Sequence, residues 1–260
     1  MQDIHCHILH GMDDGAATIN EAVELCKNAV LNNINSIVLT PHFKLFSQVD
    51  EFIEKRYTKI KELQEQLQKE KIDVKLYAGA EVALSDGLFY CEDLSKLTIN
   101  GSKYILAEIP FYKTSGDKIL NYIDFILENS FIPIIPHPER HAYIFERSDI
   151  IDSLAERNVL FQVNITSFLG EFGLKAKRNA LTMKKSRMID FLATDVHDFQ
   201  NRTNDLKQFI KSTNKLFNEK TISKLMFKNT KKVIENGEIN IRDRSIIKKS
   251  IFSFEWGKFK

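Results

Sequence analysis

Histidine and carboxylate residues recur in this chain at the ends of segments that are predicted to be β-strands. The first example is His5-Cys6-His7. In an extended strand, residues two apart point the same way, so both imidazoles can reach one metal ion while Cys6 faces the opposite side. Later strand ends and loops add further residues of the same types. The nine candidate ligands are His5, His7, Asp14, His42, Glu81, Glu108, His137, Asp195 and His197.

This set of donors is typical of a catalytic metal cluster. It mixes imidazole with carboxylate and contains no thiolate. These donors suit Mn, Fe or Zn in a catalytic cluster, whereas the zinc of a structural zinc finger is held mainly by thiolates. All 7 histidines of the chain lie in or beside these segments, and none follows His197, so random placement explains them poorly. His10 has no obvious ligand role. Asp3 is a candidate partner for a ligating imidazole, or else an ordinary surface residue.

Seven strand-like runs alternate with longer runs of helical periodicity. We predict strands at residues 3–8, 36–40, 74–82, 104–109, 132–136, 159–165 and 189–194. We predict helices at residues 20–32, 50–69, 118–129 and 150–157. Repeated βα units indicate an α/β protein with a parallel sheet, either open and doubly wound or closed. Because nearly every strand ends in a ligand-type residue, and only a closed ring brings all strand ends to one face, the pattern favours a (β/α) barrel.

Composition excludes several classes of protein. The 260 residues contain Lys+Arg 37 and Asp+Glu 35, a net charge of +2, which gives no reason to expect a nucleic-acid partner. With 43% hydrophobic and 28% charged residues, the chain reads as one globular domain over residues 1–260. It shows neither a leader pattern nor a long apolar run, and its three cysteines are widely spaced. We therefore expect a cytoplasmic protein without a transmembrane segment.

Six motifs follow one another in the order and spacing of a known family. They are Asp3-Ile4-His5-Cys6-His7, Gly11-Met12-Asp13-Asp14-Gly15-Ala16, Thr40-Pro41-His42, Gly79-Ala80-Glu81, His137-Pro138-Glu139-Arg140 and Thr194-Asp195-Val196-His197. Together they resemble the PHP-type (polymerase and histidinol phosphatase) superfamily, and most of all its bacterial protein-tyrosine phosphatases of the CpsB/CapC/YwqE kind. The resemblance is strongest over residues 1–205. His10, in place of the usual proline, and residues 44–50 depart from the pattern.

The resemblance implies a distorted, TIM-like (β/α)7 PHP barrel with its active site at the C-terminal ends of the strands. It also implies three metal ions, preferably Mn2+, with Fe, Zn, Co or Mg as alternatives. The resemblance assigns the ligands to the three ions as follows. The first ion is held by His5, His7, Glu81 and Asp195. The second is held by Glu81, Glu108 and His137, and the third by Asp14, His42 and His197. Arg140 and Arg202 match the positions that hold the phosphate, and Glu108 is counted as catalytic as well as ligating.

The activity that the resemblance implies is a manganese-dependent protein-tyrosine phosphatase, a phosphoric monoester hydrolase. Its substrate would be the phosphotyrosine tail of an autophosphorylating bacterial tyrosine kinase, through which it would regulate capsular and exopolysaccharide biosynthesis. The residues agree with this chemistry, because a polynuclear site generates hydroxide that can attack phosphorus near neutral pH. Arg140 offers a planar fork to the phosphate oxygens. His141 is a candidate for substrate binding, by protonating the leaving group or stacking on its ring.

The sequence excludes a cysteine-based mechanism for the same activity. A cysteine-based tyrosine phosphatase needs Cys-x5-Arg, and the positions where the arginine would stand hold Met12, Asn32 and Leu97. Two alternatives stay open at this point. One is a small-molecule PHP phosphatase acting on histidinol phosphate or a nucleotide, because a metal site alone does not select the ester. The other is a non-catalytic, metal-stabilised module that docks on a kinase.

The C-terminal stretch, residues 242–260, is basic, with six Lys and Arg residues against two acidic ones. It could make peripheral contact with an anionic membrane or with an acidic tyrosine tail. Its apolar residues could instead pack back on the barrel. The sequence leaves a homo-oligomer open.

Overall fold

The structure is a computed structural model that describes residues 1–146, 148–199, 205–241 and 244–247. Arg202 and most of the basic tail, residues 242–243 and 248–260, lie outside the described residues.

Nine short parallel strands form the centre of the described part of the chain. They are β1 (Gln2–Cys6), β2 (Ser36–Leu39), β3 (His42–Phe43), β4 (Lys75–Ala78), β5 (Glu81–Ala83), β6 (Tyr104–Glu108), β7 (Ile132–Pro136), β8 (Leu160–Asn164) and β9 (Phe191–Ala193). They pair in the orders β1-β2-β4 and β3-β5-β6-β7-β8-β9. The predicted parallel α/β fold is therefore confirmed.

One predicted strand is bent into two short strands, and another is followed by a short strand that the sequence does not predict. The strand predicted at residues 36–40 is β2, and the chain continues as β3 after a bend at Pro41, which has no N–H to donate to a strand ladder. The run predicted as one strand, residues 74–82, breaks into β4 and β5 at Gly79-Ala80. Hydrogen bonds cross both bends, from Gly79 N to Leu39 O (2.9 Å) and from Glu81 N to Pro41 O (3.1 Å). The nine strands are thus seven consecutive segments, two of them kinked.

The first and last segments also meet. Asp195 N donates to His5 O at 3.0 Å, and His7 N donates to Val196 O at 2.9 Å. Cys6 and Val196 form an isolated parallel bridge at the same place. Neighbouring segments are therefore hydrogen-bonded all the way round, which makes the arrangement a distorted ring.

Side-chain alternation along the strands separates the inside of the ring from the outside. On β6, Tyr104 and Leu106 belong to a small apolar cluster, whereas Ile105 and Ala107 belong to the large one that includes the helices. The small cluster also contains Ile4, Val38, Ile134, Leu160, Phe191 and Ala193, so it fills the ring. Because side chains alternate with a period of two, the next inward residue of β6 is Glu108. The inner positions are thus apolar deep in the ring and polar at its C-terminal end.

Ten α-helices surround this ring in the described ranges. They are α1 (Ile19–Leu31), α2 (Val49–Lys69), α3 (Gly116–Glu128), α4 (Ala142–Glu146), α5 (Ser148–Glu156), α6 (Ile165–Leu169), α7 (Gly173–Lys185), α8 (Leu206–Ser212), α9 (Glu219–Ser223) and α10 (Asn229–Ile234). Single 3-10 turns occur at Phe46–Gln48, Asp86–Tyr90, Leu94–Leu97, Ile99–Gly101 and Pro138–Arg140, and a π turn at Lys224–Lys228. The four predicted helices correspond to α1, α2, α3 and α5. None of the helices described here is both long and apolar enough to cross a membrane.

Residues 244–247 pack against the barrel. Arg244 Nη2 lies 2.6 Å from Asp190 Oδ2, and the guanidinium stacks over the ring of Phe161. Ile247 is buried in the large apolar cluster, while Ile246 is exposed. The expectation that the C-terminal stretch packs back on the barrel is confirmed for Arg244 and Ile247 and is wrong for Ile246.

Candidate metal centre

All nine predicted ligands come together at the C-terminal end of the ring. Their ligand atoms form four overlapping groups, and within each group the atoms lie within 4.8 Å of one another. The groups are His7-Asp14-His42-His197, His5-His7-Glu81, His5-His137-Asp195 and His42-Glu81-Glu108. Asp14, His42 and His197 share a group, as one ion of the predicted site requires. Glu108 is grouped with His42 instead of His137, so the division of ligands among three ions remains a prediction.

Glu81 lies at the centre of these groups. Its Oε2 is 3.2 Å from His5 Nε2 and 3.1 Å from His7 Nε2, and its Oε1 is 2.9 Å from His137 Nε2. His42 Nδ1 is also 3.1 Å from Oε2. Burial raises the pKa of Glu81, but the charge of His5 and the hydrogen bond with His137 outweigh burial and hold the pKa well below its usual range. Glu81 is therefore a buried, ionised carboxylate that faces four imidazoles.

Two side chains outside the predicted set orient the first histidine pair. Gln162 Oε1 is 2.8 Å from His5 Nδ1, and Asp13 Oδ2 is 2.6 Å from His7 Nδ1. A partner on Nδ1 fixes the ring and aims Nε2 at a metal. The two Nε2 atoms lie 3.0 Å apart, as expected for side chains on the same side of β1. Cys6 faces the other way, with its Sγ 3.4 Å from Val38 O.

Asp3 does not have the expected role. It is neither exposed nor in contact with an imidazole. Its buried carboxylate accepts hydrogen bonds from the backbone N–H of Thr194 (3.1 Å) and from the Thr194 hydroxyl. Burial raises its pKa to about 6, although the bonds from Thr194 oppose this. Asp3 thus ties β1 to the segment after β9, which carries two of the candidate ligands.

The loop after β1 aims Asp14 at the cluster. Gly15 packs so closely against this strand end that an added Cβ would lie 1.9 Å from His7 O. Asp13 accepts hydrogen bonds from Gly15 N (3.0 Å) and His42 N (2.8 Å), which fixes the loop to β3. Asp14 Oδ1 then lies 3.5 Å from His42 Nε2 and 3.4 Å from His197 Nε2.

Two of the candidate ligands have left-handed backbone conformations, which residues other than glycine rarely adopt. His137 has φ 33° and ψ 48°, and Asp195 has φ 53°. Both residues directly follow a strand or lie close to its end, and non-glycine residues in the left-handed region are often found at functional sites. The left-handed turns bring both side chains back over the mouth of the ring.

Arg140 lies at the edge of the cluster and is not a free surface residue. Its Nη1 donates to Asp195 Oδ2 at 2.9 Å, and its side chain is only 16% exposed. The guanidinium stacks on two rings, 4.9 Å from the centre of Phe111 and 4.2 Å from that of Phe172. Asn164 Nδ2 donates to the same carboxylate oxygen at 2.7 Å. These contacts fix the plane of the cation beside the metal ligands.

His141 is buried next to the same aromatic surface. Its ring stacks on Phe111, with the centroids 4.4 Å apart, and lies 5.9 Å from the ring of His137. Neither ring nitrogen makes a hydrogen bond to any described residue. Burial lowers its pKa well below the usual range, so the ring is neutral near pH 7. These contacts suit a stacking role better than protonation of a leaving group.

The chemistry of the donor set fits metal ions. Glu81 Oε2 is buried and faces three ring nitrogens, yet among the described residues it has no well-aligned hydrogen bond. Burial lowers the pKa of His7, but its hydrogen bond to Asp13 and the negative charge of the adjacent Glu81 raise it to about 10, so a bound ion would have to displace a proton. Cations between such imidazoles and carboxylates would satisfy both kinds of group, and these donors suit Mn, Fe and Zn.

The fold and the site define a parallel α/β barrel that carries a cluster of histidines and carboxylates, a candidate metal centre, at the C-terminal ends of its strands. The family model described as capsular polysaccharide synthesis, CpsB/CapC, matches residues 1–235. The chain belongs to this family, which confirms the resemblance found in its motifs.

Individual relatives cover nearly the whole chain. CapC of Staphylococcus aureus is 34% identical over 257 residues, 95% of this chain and 94% of CapC. The tyrosine-protein phosphatase YwqE of Bacillus subtilis is 31% identical over 251 residues, 95% of this chain and 94% of YwqE.

Solved structures also resemble this chain over most of its length. A chain from the crystal structures of YwqE from Bacillus subtilis and CpsB from Streptococcus pneumoniae, described as unique metal-dependent tyrosine phosphatases, superposes with a TM-score of 0.82 at 28% identity. The match covers 96% of this chain and 100% of that one. The lactonase Lmo2620 of Listeria monocytogenes, at 9% identity and a TM-score of 0.59 over 91% of this chain and 95% of its own, shares the fold alone.

Proposed function

We propose that this protein is a metal-dependent protein-tyrosine phosphatase that works best with Mn2+. The observation that carries the proposal is the cluster of nine ligand-type side chains around Glu81, with the guanidinium of Arg140 at its edge. Relatives named or described as tyrosine phosphatases, one of them 31% identical, support the same activity.

The residues of the chain divide the work as follows. When bound, the metal ions supply hydroxide near neutral pH and neutralise phosphate oxygens. Arg140, held flat by Phe111 and Phe172, presents its remaining N–H groups to the phosphate oxygens. Burial, and then the charge of Glu81, raises the pKa of Glu108 to about 8, so without metal the Glu108 carboxyl retains its proton near neutral pH. The leaving phenol has a pKa of about 10 and needs no strong acid to depart.

We further propose that the substrate is phosphotyrosine on an autophosphorylating bacterial tyrosine kinase, and that the protein regulates capsular polysaccharide synthesis in the cytoplasm. The description of the family supports the link to the capsule. Arg202 is proposed as a second phosphate-binding cation on the resemblance alone. Peripheral membrane contact through residues 242–260 is proposed from the basic charge of that stretch, and homo-oligomerisation is a further proposal.

Metal removal followed by reconstitution tests the activity. Protein stripped by a chelator should lose hydrolysis of phosphotyrosine peptides and regain it best with Mn2+, in comparison with Zn2+, Co2+ and Mg2+. Unchanged turnover after verified metal removal would reject the metal mechanism. Faster turnover of histidinol phosphate than of the peptides would favour the small-molecule phosphatase, and bound metal without any aryl-phosphate hydrolysis would favour the docking module.

A further inference from the structure

A cavity of about 480 Å³ lies beside the metal centre, between β3 and the first turns of α2. His42 and Asp14, two of the candidate ligands, contribute to its lining. Binding pockets for organic ligands are typically about 300–1,000 Å³, so this cavity is larger than a phosphate group alone would need. It is therefore large enough for a part of the substrate other than the phosphate.

The lining of the cavity combines aromatic and cationic side chains. Phe43 and Phe52 line it, with ring centroids 4.9 Å apart. Lys44 and Lys55 line it as well, and both are exposed. In the described ranges neither of these lysines forms an ion pair, whereas Lys59, one turn further along α2, is paired with Glu62.

The negative charges near the cavity leave these two cations in excess. The carboxylate of Asp13 is held by His7 and by His42 N, and Asp14 faces two of the candidate-ligand histidines. Glu51 is the remaining acidic residue of the lining. If Asp13 and Asp14 are counted with the histidines that they face, Lys44 and Lys55 outnumber Glu51 among the described residues of the lining, and this wall has a net positive charge.

Lys44 lies where the cavity meets the metal centre. It directly follows β3, which begins at the candidate ligand His42, and it lines the cavity together with His42 and Asp14. A ligand that contacts Lys44 would therefore lie next to the ligand cluster, where the phosphate is expected.

We propose that this cavity binds the peptide segment that flanks the phosphotyrosine, and that Lys44 and Lys55 select acidic side chains in it. The inference rests on the proposed function, because it assumes a phosphotyrosyl peptide as substrate. Phe52, which is half-buried and lies against the buried ring of Phe43, packs on the aliphatic parts of the segment while the lysines pair with its carboxylates. An acidic flank is complementary in charge to this wall, and a basic flank is repelled by it.

The test compares two phosphotyrosine peptides of equal length, one flanked by glutamates and the other by lysines. The wild-type protein should have the higher kcat/KM for the acidic peptide. Lys44→Ala and Lys55→Ala should each reduce the acidic-to-basic ratio of kcat/KM about twofold to fivefold, as expected for exposed charge pairs at low salt. Lys44→Glu should reduce the ratio further. Lys61→Ala, on α2 but outside the lining, is the matched control and should keep the wild-type ratio.

Bound metal and the melting temperature are measured on every variant, so that a loss of folding is not mistaken for a loss of selectivity. An unchanged ratio in the two alanine variants, with metal content intact, overturns the inference and leaves the proposed function standing. A wild-type protein that hydrolyses p-nitrophenyl phosphate but neither peptide contradicts the proposed function itself. The two failures are therefore distinguishable.

Discussion

At the level of single residues, the metal centre depends most on Glu81, because this carboxylate faces four of the five histidines in the cluster at once. It is the first residue of β5, directly after the Gly79-Ala80 bend, and it is completely buried. An ionised carboxylate at such a position needs compensating positive charge. Imidazolium groups supply that charge without metal, and metal ions would supply it in the active protein.

Removal of this carboxylate should therefore abolish the centre. We expect Glu81→Ala to eliminate hydrolysis of aryl phosphates and to reduce the bound metal measured by elemental analysis. Cys6→Ser is the matched control, since Cys6 is equally buried but faces away from the ligands. It should leave turnover nearly intact. An active Glu81→Ala together with an inactive Cys6→Ser would show that the assignment is wrong.

Arg140 separates phosphate binding from metal binding. Because a cation does not ligate a metal, Arg140→Ala should keep the full metal content while kcat/KM on a phosphotyrosine peptide falls by about two to three orders of magnitude, roughly 3 to 4 kcal/mol of transition-state stabilisation. Arg140→Lys should recover only part of this loss, since a point charge does not reproduce the planar fork. Near-wild-type kinetics in Arg140→Ala would instead assign phosphate recognition to the metal ions.

At the level of elements, the loop after β1 determines where Asp14 lies. Gly15→Ala would place a methyl group against the backbone of His7, and backbone cannot move aside as a flexible side chain can. We expect the loop to shift, the group of Asp14, His42 and His197 to open, and the free energy of unfolding to fall by about 1 to 3 kcal/mol. Urea unfolding and metal analysis measure these effects.

Gly237→Ala provides the control for that substitution. The atom nearest to the added Cβ would be Lys232 O at 3.4 Å, which is an ordinary contact distance, and Lys232 is not a candidate ligand. This variant should retain its metal and its activity. If both variants behaved alike, the close approach of the loop to β1 would not be what positions Asp14.

Much of the candidate site could be predicted from the sequence, because side chains along a strand alternate between its two faces with a period of two. His5 and His7 share a face since they are two apart, and Glu108 continues the inward series of β6. The polar residues Gln162 and Asn164, at alternate positions of β8, carried the same signal of inward orientation, although they were not predicted to belong to the site. A period-two reading of that strand could have found them.

Other features depend on contacts between distant parts of the chain, which local patterns do not encode. Asp3 bonds to Thr194, a residue 191 positions away, so its role required knowledge of which strands meet. Nothing in the sequence of the loop distinguishes Asp13, which supports His7, from Asp14, which points at His42. The bend at Gly79-Ala80 in the third segment depends on how that segment pairs with the second, whose own bend has a local cause in Pro41. The helices α4, α6, α8, α9 and α10 are too short for the amphipathic periodicity that predicted α1 and α2. Helix α7 is as long as α1, but its buried residues are only Ala176, Ala180 and Met183.

At the level of the whole molecule, the candidate ligands lie on both sides of the place where the barrel closes. His5 and His7 belong to the first segment, while Asp195 and His197 follow the last. Few backbone hydrogen bonds hold this closure, notably those between His5 and Asp195 and between His7 and Val196. Metal ions bound here would link the two ends of the ring, so ligand binding and barrel closure should be coupled.

This coupling predicts where the protein opens when metal is removed. Because an ion that binds only the folded state stabilises it by RT ln(1 + [L]/Kd), about 4 kcal/mol at a thousandfold excess over Kd, the melting temperature should fall on chelation. Amide exchange should accelerate most at His7 and Asp195, whose N–H groups cross the closure. The amide of Ile132, bonded to Lys103 O at the opposite end of the ring, should keep more of its protection. Equal acceleration at all three amides would indicate a general loss of stability, and no acceleration at His7 would mean that barrel closure does not depend on metal.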